Sequence, residues 1–350
     1  MQAPALTLHD LGWDDGFAAA FESLEDEVLI PARVAAQHRG GYDVLTEAGE
    51  RRVRVTGRLR HEAASAAELP AVGDWVALRD ETIHAVLPRR SAFSRKAAWA
   101  PTEQQVLAAN LDAIFIVSAL DGDLNMRRLE RYLTLAWESG ATPVLVLTKA
   151  DLCEDIEAAL LEVGEVALGV AAHAVSNVTG AGLEELAPHL KPARTIALLG
   201  SSGVGKSTLV NRLAGEQLQV THEIAEDGRG RHTTVSRQLI RLPGGALLVD
   251  TPGLREVQLW DADEGIQEAF ADVDELAAEC RFNDCSHTRE PACAVQAAIA
   301  DGRLPRERFE SYGLLQRELQ HLAMKQDVRL RSEARKQRAA FARSLRKASW

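Results

Sequence analysis

The residues whose chemistry is easiest to assign form a glycine-rich loop between an apolar strand and a helical pattern. Gly205, Lys206 and Ser207 lie at the defining positions of the spacing G-x-x-x-x-G-K-[ST]. Glycines let successive backbone N–H groups point at phosphate oxygens, and the helix N-terminus favours the same negative charge. We predict that Lys206 contacts the β- and γ-phosphates and that Ser207 ligates Mg²⁺. The predicted phosphate site consists of Gly200, Ser201, Ser202, Gly203, Val204, Gly205, Lys206, Ser207 and Thr208.

A loop of this kind binds ATP or GTP, and a second segment bears on the choice. Thr148-Lys-Ala-Asp151 follows an apolar strand and resembles the guanine motif N-K-x-D. The Asp151 carboxylate can accept from guanine N1–H and N2–H₂ together, and adenine lacks that donor pair. Lys149 can lie along the base, whereas Thr148 replaces an Asn and leaves one contact of that amide in doubt. A plain turn after a strand is the alternative.

Ser176-Asn177 follows the next predicted strand, where a GTPase has its S-A-K loop. Only Ser176 fits that pattern, so a backbone N–H would have to contact guanine O6.

A third strand ends in Asp250-Thr-Pro-Gly253, a D-x-x-G pattern. Asp250 is suited to hold Mg²⁺, directly or through water, and the Gly253 N–H can approach the γ-phosphate. The hydroxyl of Thr233 or Thr234, in the glycine-rich and charged segment before it, can complete the Mg²⁺ shell. The sequence does not choose between these two threonines.

Leu254 stands where Ras-type enzymes place a water-orienting Gln, so we expect intrinsic hydrolysis to be slow. His232 is our candidate for a catalytic residue in its place, beside Lys206 and Asp250. A solvated loop histidine is the alternative for His232.

The order of these parts is unusual, because the guanine motif precedes the phosphate loop. Ordinary GTPases begin with the phosphate loop, so the series is circularly permuted. Permutation is physically allowed, since the site depends only on where the strand ends lie in space.

Further along, the ligand-type residues have the spacing Cys280-x₄-Cys285-x-His287-x₅-Cys293. Three thiolates and one imidazole suit tetrahedral Zn²⁺, and four protein ligands leave no open position. We therefore predict one structural zinc ion. Unrelated reduced cysteines are the alternative.

The predicted elements that position these residues fall into distinct regions of the chain. Residues 29–92 carry about five short strands, typical of a small OB-fold barrel that either contacts nucleic acid or only docks. Strands then alternate with helices, which predicts a parallel α/β sheet with ligands at the strand C-terminal ends. The predicted division is 1–28, an acidic N-terminal arm; 29–92, the barrel; 93–110, a linker; 111–264, a circularly permuted P-loop G domain; and 265–350, a C-terminal helical zinc-binding domain with a basic last helix.

Composition sets broader limits. The chain has 350 residues, 46% hydrophobic and 26% charged, which is ordinary for a soluble globular protein. Neither a membrane span nor a secretion signal is visible, so we expect a cytoplasmic protein with no membrane partner, and a monomer. The net charge of −11 argues against non-specific polyanion binding, yet residues 321–350 carry nine Lys/Arg. That basic tail is either a solvated helix face or a nucleic-acid contact.

Together, the barrel, the permuted motif order and the Cys₃His cluster resemble the RsgA (YjeQ/YloQ) family of small ribosomal subunit biogenesis GTPases. The resemblance covers about residues 30–350. It implies GTP hydrolysis to GDP, stimulated by the 30S subunit during late maturation of that subunit, with contact to 16S rRNA. Leu254 fits the family's apolar replacement of the catalytic Gln, and His232 matches its proposed catalytic histidine. The acidic N-terminus lies outside what the resemblance explains.

Two other functions stay open from the residues alone. One is a nucleotide-gated RNA-binding assembly factor for which hydrolysis is incidental. The other is a P-loop ATPase, which tighter binding of ATP than of GTP would establish.

Overall fold

The computed structural model describes residues 6–38, 40–96, 104–122, 124–215, 238–250, 263–282, 285–288, 290–317 and 319. Several predicted functional positions lie outside these ranges: His232, Thr233, Thr234, Gly253, Leu254 and the basic tail.

The N-terminal arm is a folded element. Its helix α1 (Asp15–Glu22) begins at Asp14, whose carboxylate accepts from the backbone N–H groups of Gly16 and Phe17. Phe17 is 4% exposed. Trp13 packs edge-on against Trp75 of the next domain, with ring centroids 4.7 Å apart. An aromatic cluster therefore fixes the arm to the body of the protein.

Five strands then form a closed barrel: β1 (Ile30–His38), β2 (Gly41–Thr46), β3 (Gly49–Val55), β4 (Trp75–Arg79) and β5 (Thr82–Val86). Closure follows from the pairings β1–β2, β2–β3, β3–β5, β5–β4 and β4–β1. A short helix, α2 (Gly57–Glu62), lies between β3 and β4. Alternating apolar residues fill the interior, among them Val34, Val44 and Val53. This architecture is the OB-like barrel predicted from the sequence.

The segment 93–110, predicted to be a linker, contains structure. Strands β6 (Ala92–Lys96) and β7 (Gln104–Ala109) pair as an antiparallel two-stranded sheet. The reason is burial: Phe93 is 2% exposed and Leu107 is not exposed at all. An apolar run in β7 that can be buried on a neighbouring surface forms a strand although charged residues precede it.

The central domain alternates strands and helices as predicted. Its elements are β8 (Ala113–Ala119), α3 (Met126–Glu138), β9 (Thr142–Thr148), α4 (Ile156–Val166), β10 (Ala171–Ala174), β11 (Thr195–Leu199), α5 (Lys206–Ala214), β12 (Gln238–Arg241) and β13 (Leu247–Asp250). The order in the sheet is β10-β9-β8-β11-β13-β12, parallel except for β12. Between β10 and β11 lies a 3₁₀ helix, Leu183–His189, with Pro188 inside it.

The barrel and this sheet are physically joined. Ala36 of β1 pairs with Gln238 of β12, so one sheet of 11 strands runs through both domains. The buried Arg33 side chain strengthens the junction, because it donates to the Gly73 carbonyl in the barrel and to Thr195 Oγ1 in β11.

The described C-terminal part is helical, with α6 (Asp263–Ala269), α7 (Ala271–Ala278), α8 (Ala294–Ala300) and a further helical stretch over 306–317. Helix α6 packs closely on α3, since a Cβ at Gly265 would lie 2.3 Å from the Thr134 carbonyl oxygen. Among the described residues, no helix is long and apolar enough to cross a membrane.

Candidate nucleotide site and metal centre

The phosphate loop lies at the C-terminal end of β11 and leads into α5. Gly200 lies against β8, where an added Cβ would be 2.3 Å from the Val117 carbonyl oxygen. Gly203 and Gly205 have φ values of 83° and 91°, which side chains rarely tolerate. Lys206 Nζ donates to the Gly200 carbonyl at 2.6 Å and also contacts the Ser201 carbonyl. The lysine therefore lies over its own loop.

The predicted base-recognition residues lie together. Asp151 is in a short 3₁₀ helix, Ala150–Leu152, directly after β9. Ser176 is 1% exposed, and its hydroxyl donates to Asp151 Oδ1 at 2.5 Å. The same Ser176 oxygen accepts from the backbone N–H groups of Val178 and Thr179. The carboxylate is thus oriented by a buried hydroxyl that its own loop fixes.

Lys149 is held in the left-handed region, with φ of 59°, and its ammonium group contacts Asp121 at the end of β8. This contact orients the stem of Lys149, as stacking along a base would require. Sequence reasoning missed Asp121, because a partner in the turn after another strand leaves no local signal.

Thr148, which stands in place of the Asn of the guanine motif, contacts the phosphate loop. The side chain is fully buried, and Oγ1 donates to the Val204 carbonyl at 2.5 Å, with the Ser118 carbonyl at 3.2 Å. The guanine motif and the phosphate loop are therefore in direct contact. A second contact comes from Asn177, whose Nδ2 donates to the Gly205 carbonyl at 3.2 Å.

Asp250 ends β13, the neighbour of β11 in the parallel sheet, with Ala197 level with Val249. It therefore reaches the same edge of the sheet as the phosphate loop, where Ser207 begins the exposed side of α5. A carboxylate and a hydroxyl at this edge match the oxygen ligands that Mg²⁺ prefers. Tyr132 of α3 adds a contact that the sequence did not indicate, with its hydroxyl 3.3 Å from Ser201 Oγ.

The four predicted zinc ligands converge. The ligand atoms of Cys280, Cys285, His287 and Cys293 all lie within 4.8 Å of one another. The Cys280 and Cys293 sulfurs are 3.9 Å apart, and each is 3.5 Å from His287 Nδ1. A tetrahedral ion with ordinary Zn–S and Zn–N bonds needs separations of about 3.8 Å and about 3.6 Å. The Cys₃His cluster is therefore compatible with zinc in both donor chemistry and spacing.

Neighbouring residues contact both the backbone and the ring of His287. Its backbone carbonyl accepts from Gln296 Nε2 at 2.6 Å, and its ring meets the Phe309 ring edge-on at 6.2 Å. The ring is thus packed against a neighbouring aromatic side chain while its Nδ1 lies 3.5 Å from two of the sulfurs.

The permuted motif order on a parallel sheet, preceded by a closed five-stranded barrel and followed by the Cys₃His cluster, defines the class: a circularly permuted GTPase. The sequence pattern of the RsgA GTPase family matches residues 86–260. The chain is 51% identical over 338 residues to the small ribosomal subunit biogenesis GTPase RsgA of Opitutus terrae, covering 92% of both chains. It is 46% identical to the RsgA of Streptomyces coelicolor, covering 94% of this chain and 91% of the relative. The chain belongs to the RsgA GTPase family and is a GTP hydrolase.

Solved structures agree with this assignment. The crystal structure of YjeQ from Thermotoga maritima has a TM-score of 0.62 at 26% identity and covers 83% of this chain and 98% of its own. The circularly permuted GTPase YloQ has a TM-score of 0.60 at 24% identity, covering 84% and 96%, and supports the fold. The ABC transporter pattern also matches residues 183–349. That range contains the phosphate loop, which both classes share, but it leaves out Thr148–Asp151 and the barrel.

Proposed function

We propose that this GTPase acts in late maturation of the small ribosomal subunit, binds 16S rRNA, and hydrolyses GTP faster on the 30S subunit than alone. The observation that carries the proposal is the arrangement of the nucleotide site. Its base and phosphate motifs meet at one edge of the sheet. In sequence they lie between the barrel and the Cys₃His cluster, each of which can contact a larger partner. The relatives in Opitutus and Streptomyces are named for biogenesis of the small ribosomal subunit.

Within this proposal, the site residues have defined roles. Asp151, oriented by Ser176, reads guanine, while Lys149 lies along the base. Lys206 and the loop N–H groups hold the phosphates. Ser207 and Asp250, with Thr233 or Thr234, hold Mg²⁺, which neutralises charge on the phosphates. Gly253 and His232 act beside the γ-phosphate, and Leu254 leaves the unassisted reaction slow.

The barrel supplies a surface for rRNA. Arg52 and Arg54 are exposed on β3, and Arg58 and Arg60 are exposed on α2. Arg52 and Arg58 each pair with a nearby carboxylate at 2.7 Å, but their side chains stay 54% and 83% exposed. By contrast, Arg89, which follows the barrel in sequence, is 17% exposed and pairs with the buried Asp74 at 2.7 Å. Arginines on an open barrel face can neutralise phosphates, so binding should weaken with salt.

We further propose one structural zinc ion in the Cys₃His cluster, a monomeric chain and a cytoplasmic location, where a ribosomal subunit partner would be found. Co-sedimentation with 30S subunits tests the function. We expect more protein to pellet with a non-hydrolysable GTP analogue than with GDP, and less after the double change Arg52→Glu and Arg54→Glu. Arg303→Glu, a change at an exposed arginine outside the barrel, is the control. Equal pelleting in both nucleotides would contradict the proposal.

One competing function has a distinct outcome. An assembly factor with incidental hydrolysis predicts that Lys206→Ala still supports subunit maturation. The P-loop ATPase alternative has only the ABC-type match, whose range contains the phosphate loop that both classes share and leaves out the guanine motif.

A further inference from the structure

The base-recognition loop and the phosphate loop are joined by two side chains that act on adjacent carbonyls. Thr148 Oγ1 donates to the Val204 carbonyl at 2.5 Å, and Asn177 Nδ2 donates to the Gly205 carbonyl at 3.2 Å. A Cβ placed at Gly205 would lie 3.2 Å from Asn177 Nδ2 and 3.5 Å from Thr148 Oγ1. Both side chains therefore converge on the two successive peptide groups that precede Lys206.

A hydroxyl has a single proton, so Thr148 can donate to only one acceptor at a time. The 2.5 Å contact to Val204 takes that proton, and the Ser118 carbonyl at 3.2 Å is the weaker alternative. Thr148 thus has no further donor with which to hold Gly205. The second contact must come from another residue, and Asn177 provides it.

Asn177 makes this contact at a cost to the fold. Asn177 is 8% exposed, and its Oδ1 is buried without a hydrogen-bond partner among the residues that the structure describes. A buried, unpaired amide oxygen is unfavourable for folding, and such atoms in a native protein often have a functional reason. The contact to Gly205 is the interaction that holds the amide in this orientation.

The backbone of Asn177 is fixed from the other direction. Arg212 of α5 donates from Nε to the Asn177 carbonyl and from Nη2 to the Val178 carbonyl, each at 2.8 Å. The preceding residue, Ser176, holds Asp151. A single short loop therefore contacts the guanine-reading carboxylate, the phosphate loop and the helix that follows it.

We propose that Asn177 is a positioning residue that, together with Thr148, clamps the Val204–Gly205 backbone and so holds the phosphate loop in its β-phosphate-binding conformation against the base-recognition loop. The inference rests on the proposed nucleotide site and adds to it a residue that the guanine and phosphate motifs do not contain. Because the clamp acts on the peptide next to Lys206, it aligns the groups that hold the β-phosphate. It does not touch the atoms that distinguish guanine from adenine.

The test uses the full-length protein with zinc bound and measures affinities for GDP, GMP and ADP. Loss of one hydrogen bond predicts that Asn177→Ala weakens GDP binding about five- to tenfold. GMP, which lacks the β-phosphate, should weaken by less than about twofold, and the ratio of GDP to ADP affinity should stay unchanged. Asn177→Asp places an oxygen against the Gly205 carbonyl and should weaken GDP binding further.

A stability measurement and a control variant distinguish a positioning role of Asn177 from a role in folding. Thermal stability of Asn177→Ala without nucleotide should stay close to that of the wild type, because removal of the unpaired oxygen offsets the lost hydrogen bond. Val178→Ala, at a neighbouring side chain that is 75% exposed, is the matched control and should change none of these values.

Several results would overturn the inference. They are equal loss for GDP and GMP, a fall in the GDP-to-ADP ratio, unchanged GDP affinity, or a fall in stability that accounts for the lost binding. Nucleotide binding by the wild type distinguishes a failure of the proposed function from a failure of the clamp. A wild type that binds ADP as well as GDP contradicts the proposed function, whereas a guanine-selective wild type with an unaffected Asn177→Ala contradicts only the clamp.

Discussion

Arg308 joins the C-terminal helical part to the G domain, and its removal should be strongly destabilising. The side chain donates to both oxygens of Asp272, at 2.6 and 2.8 Å, and to Glu130 of α3 at 3.1 Å. It also donates to the carbonyls of Ala269 and Val166. One cation thus compensates two carboxylates at the contact between α3, α7 and the helical stretch over 306–317.

The magnitude of the effect follows from burial. The side chains of Arg308 and Glu130 are 1% and 2% exposed, whereas that of Asp272 is 25% exposed and can regain water. Removing one partner of a buried ion pair costs about 3–5 kcal/mol. We expect Arg308→Met, which keeps much of the volume, to lower the free energy of unfolding by about 3 kcal/mol, mostly through the stranded Glu130.

The loss should depend on pH. Burial raises the pKa of Glu130, while contacts with Ser311 and Arg308 lower it. Without Arg308 the folded-state pKa rises further above the unfolded value. A carboxyl group with a raised folded-state pKa destabilises the fold as pH increases. The difference between variant and wild type should therefore be larger at pH 8 than at pH 5.

Urea unfolding with zinc held constant measures these values. Adding Glu130→Gln to Arg308→Met should recover at least half of the loss, because the stranded charge is removed. Arg303→Met is the control, since its exposed pair with Asp301 at 3.8 Å should contribute less than about 0.5 kcal/mol. A loss below about 1 kcal/mol for Arg308→Met, or no recovery in the double variant, would refute this reasoning.

Two further predictions concern the ligand sites. Asp151→Asn replaces an acceptor with an amide donor, so the binding preference should shift from guanosine diphosphate towards xanthosine diphosphate, whose C2 oxygen accepts a hydrogen bond. Competitive binding of the two nucleotides measures this shift, and an unchanged preference for guanine would contradict it. Cys285→Ser should lower bound zinc from about one per chain to near none and expose the C-terminal helices to protease, since structural zinc contributes directly to folding. Cys153→Ser, outside the cluster, should retain the metal, and full zinc content in Cys285→Ser would exclude that ligand.

Much of the fold could be predicted because its signals are local. The phosphate loop, the Cys₃His spacing and the apolar strands each lie within a short stretch of sequence. The barrel was predictable from alternation, and the register of its strands confirms it. Permutation was visible because the motifs keep their local form when their order changes.

The features that the sequence did not indicate depend on distant partners. The β6–β7 pair forms because Phe93 and Leu107 are buried against neighbouring parts of the fold. In the sequence Asn177 is a departure from the S-A-K pattern, and only the structure shows that its side chain contacts Gly205 of the phosphate loop. Asp121 and Tyr132 contact the site from other elements, so neither spacing nor residue type marks them.

We expect the 30S subunit to complete a GTPase that is slow by itself. Steady-state GTP hydrolysis with and without purified 30S subunits tests it most directly, with Lys206→Ala as the inactive reference. We predict a low rate for the protein alone and a rate at least about tenfold higher with 30S subunits, because a partner must orient the water that Leu254 cannot. Equal rates in the two reactions would contradict the claim.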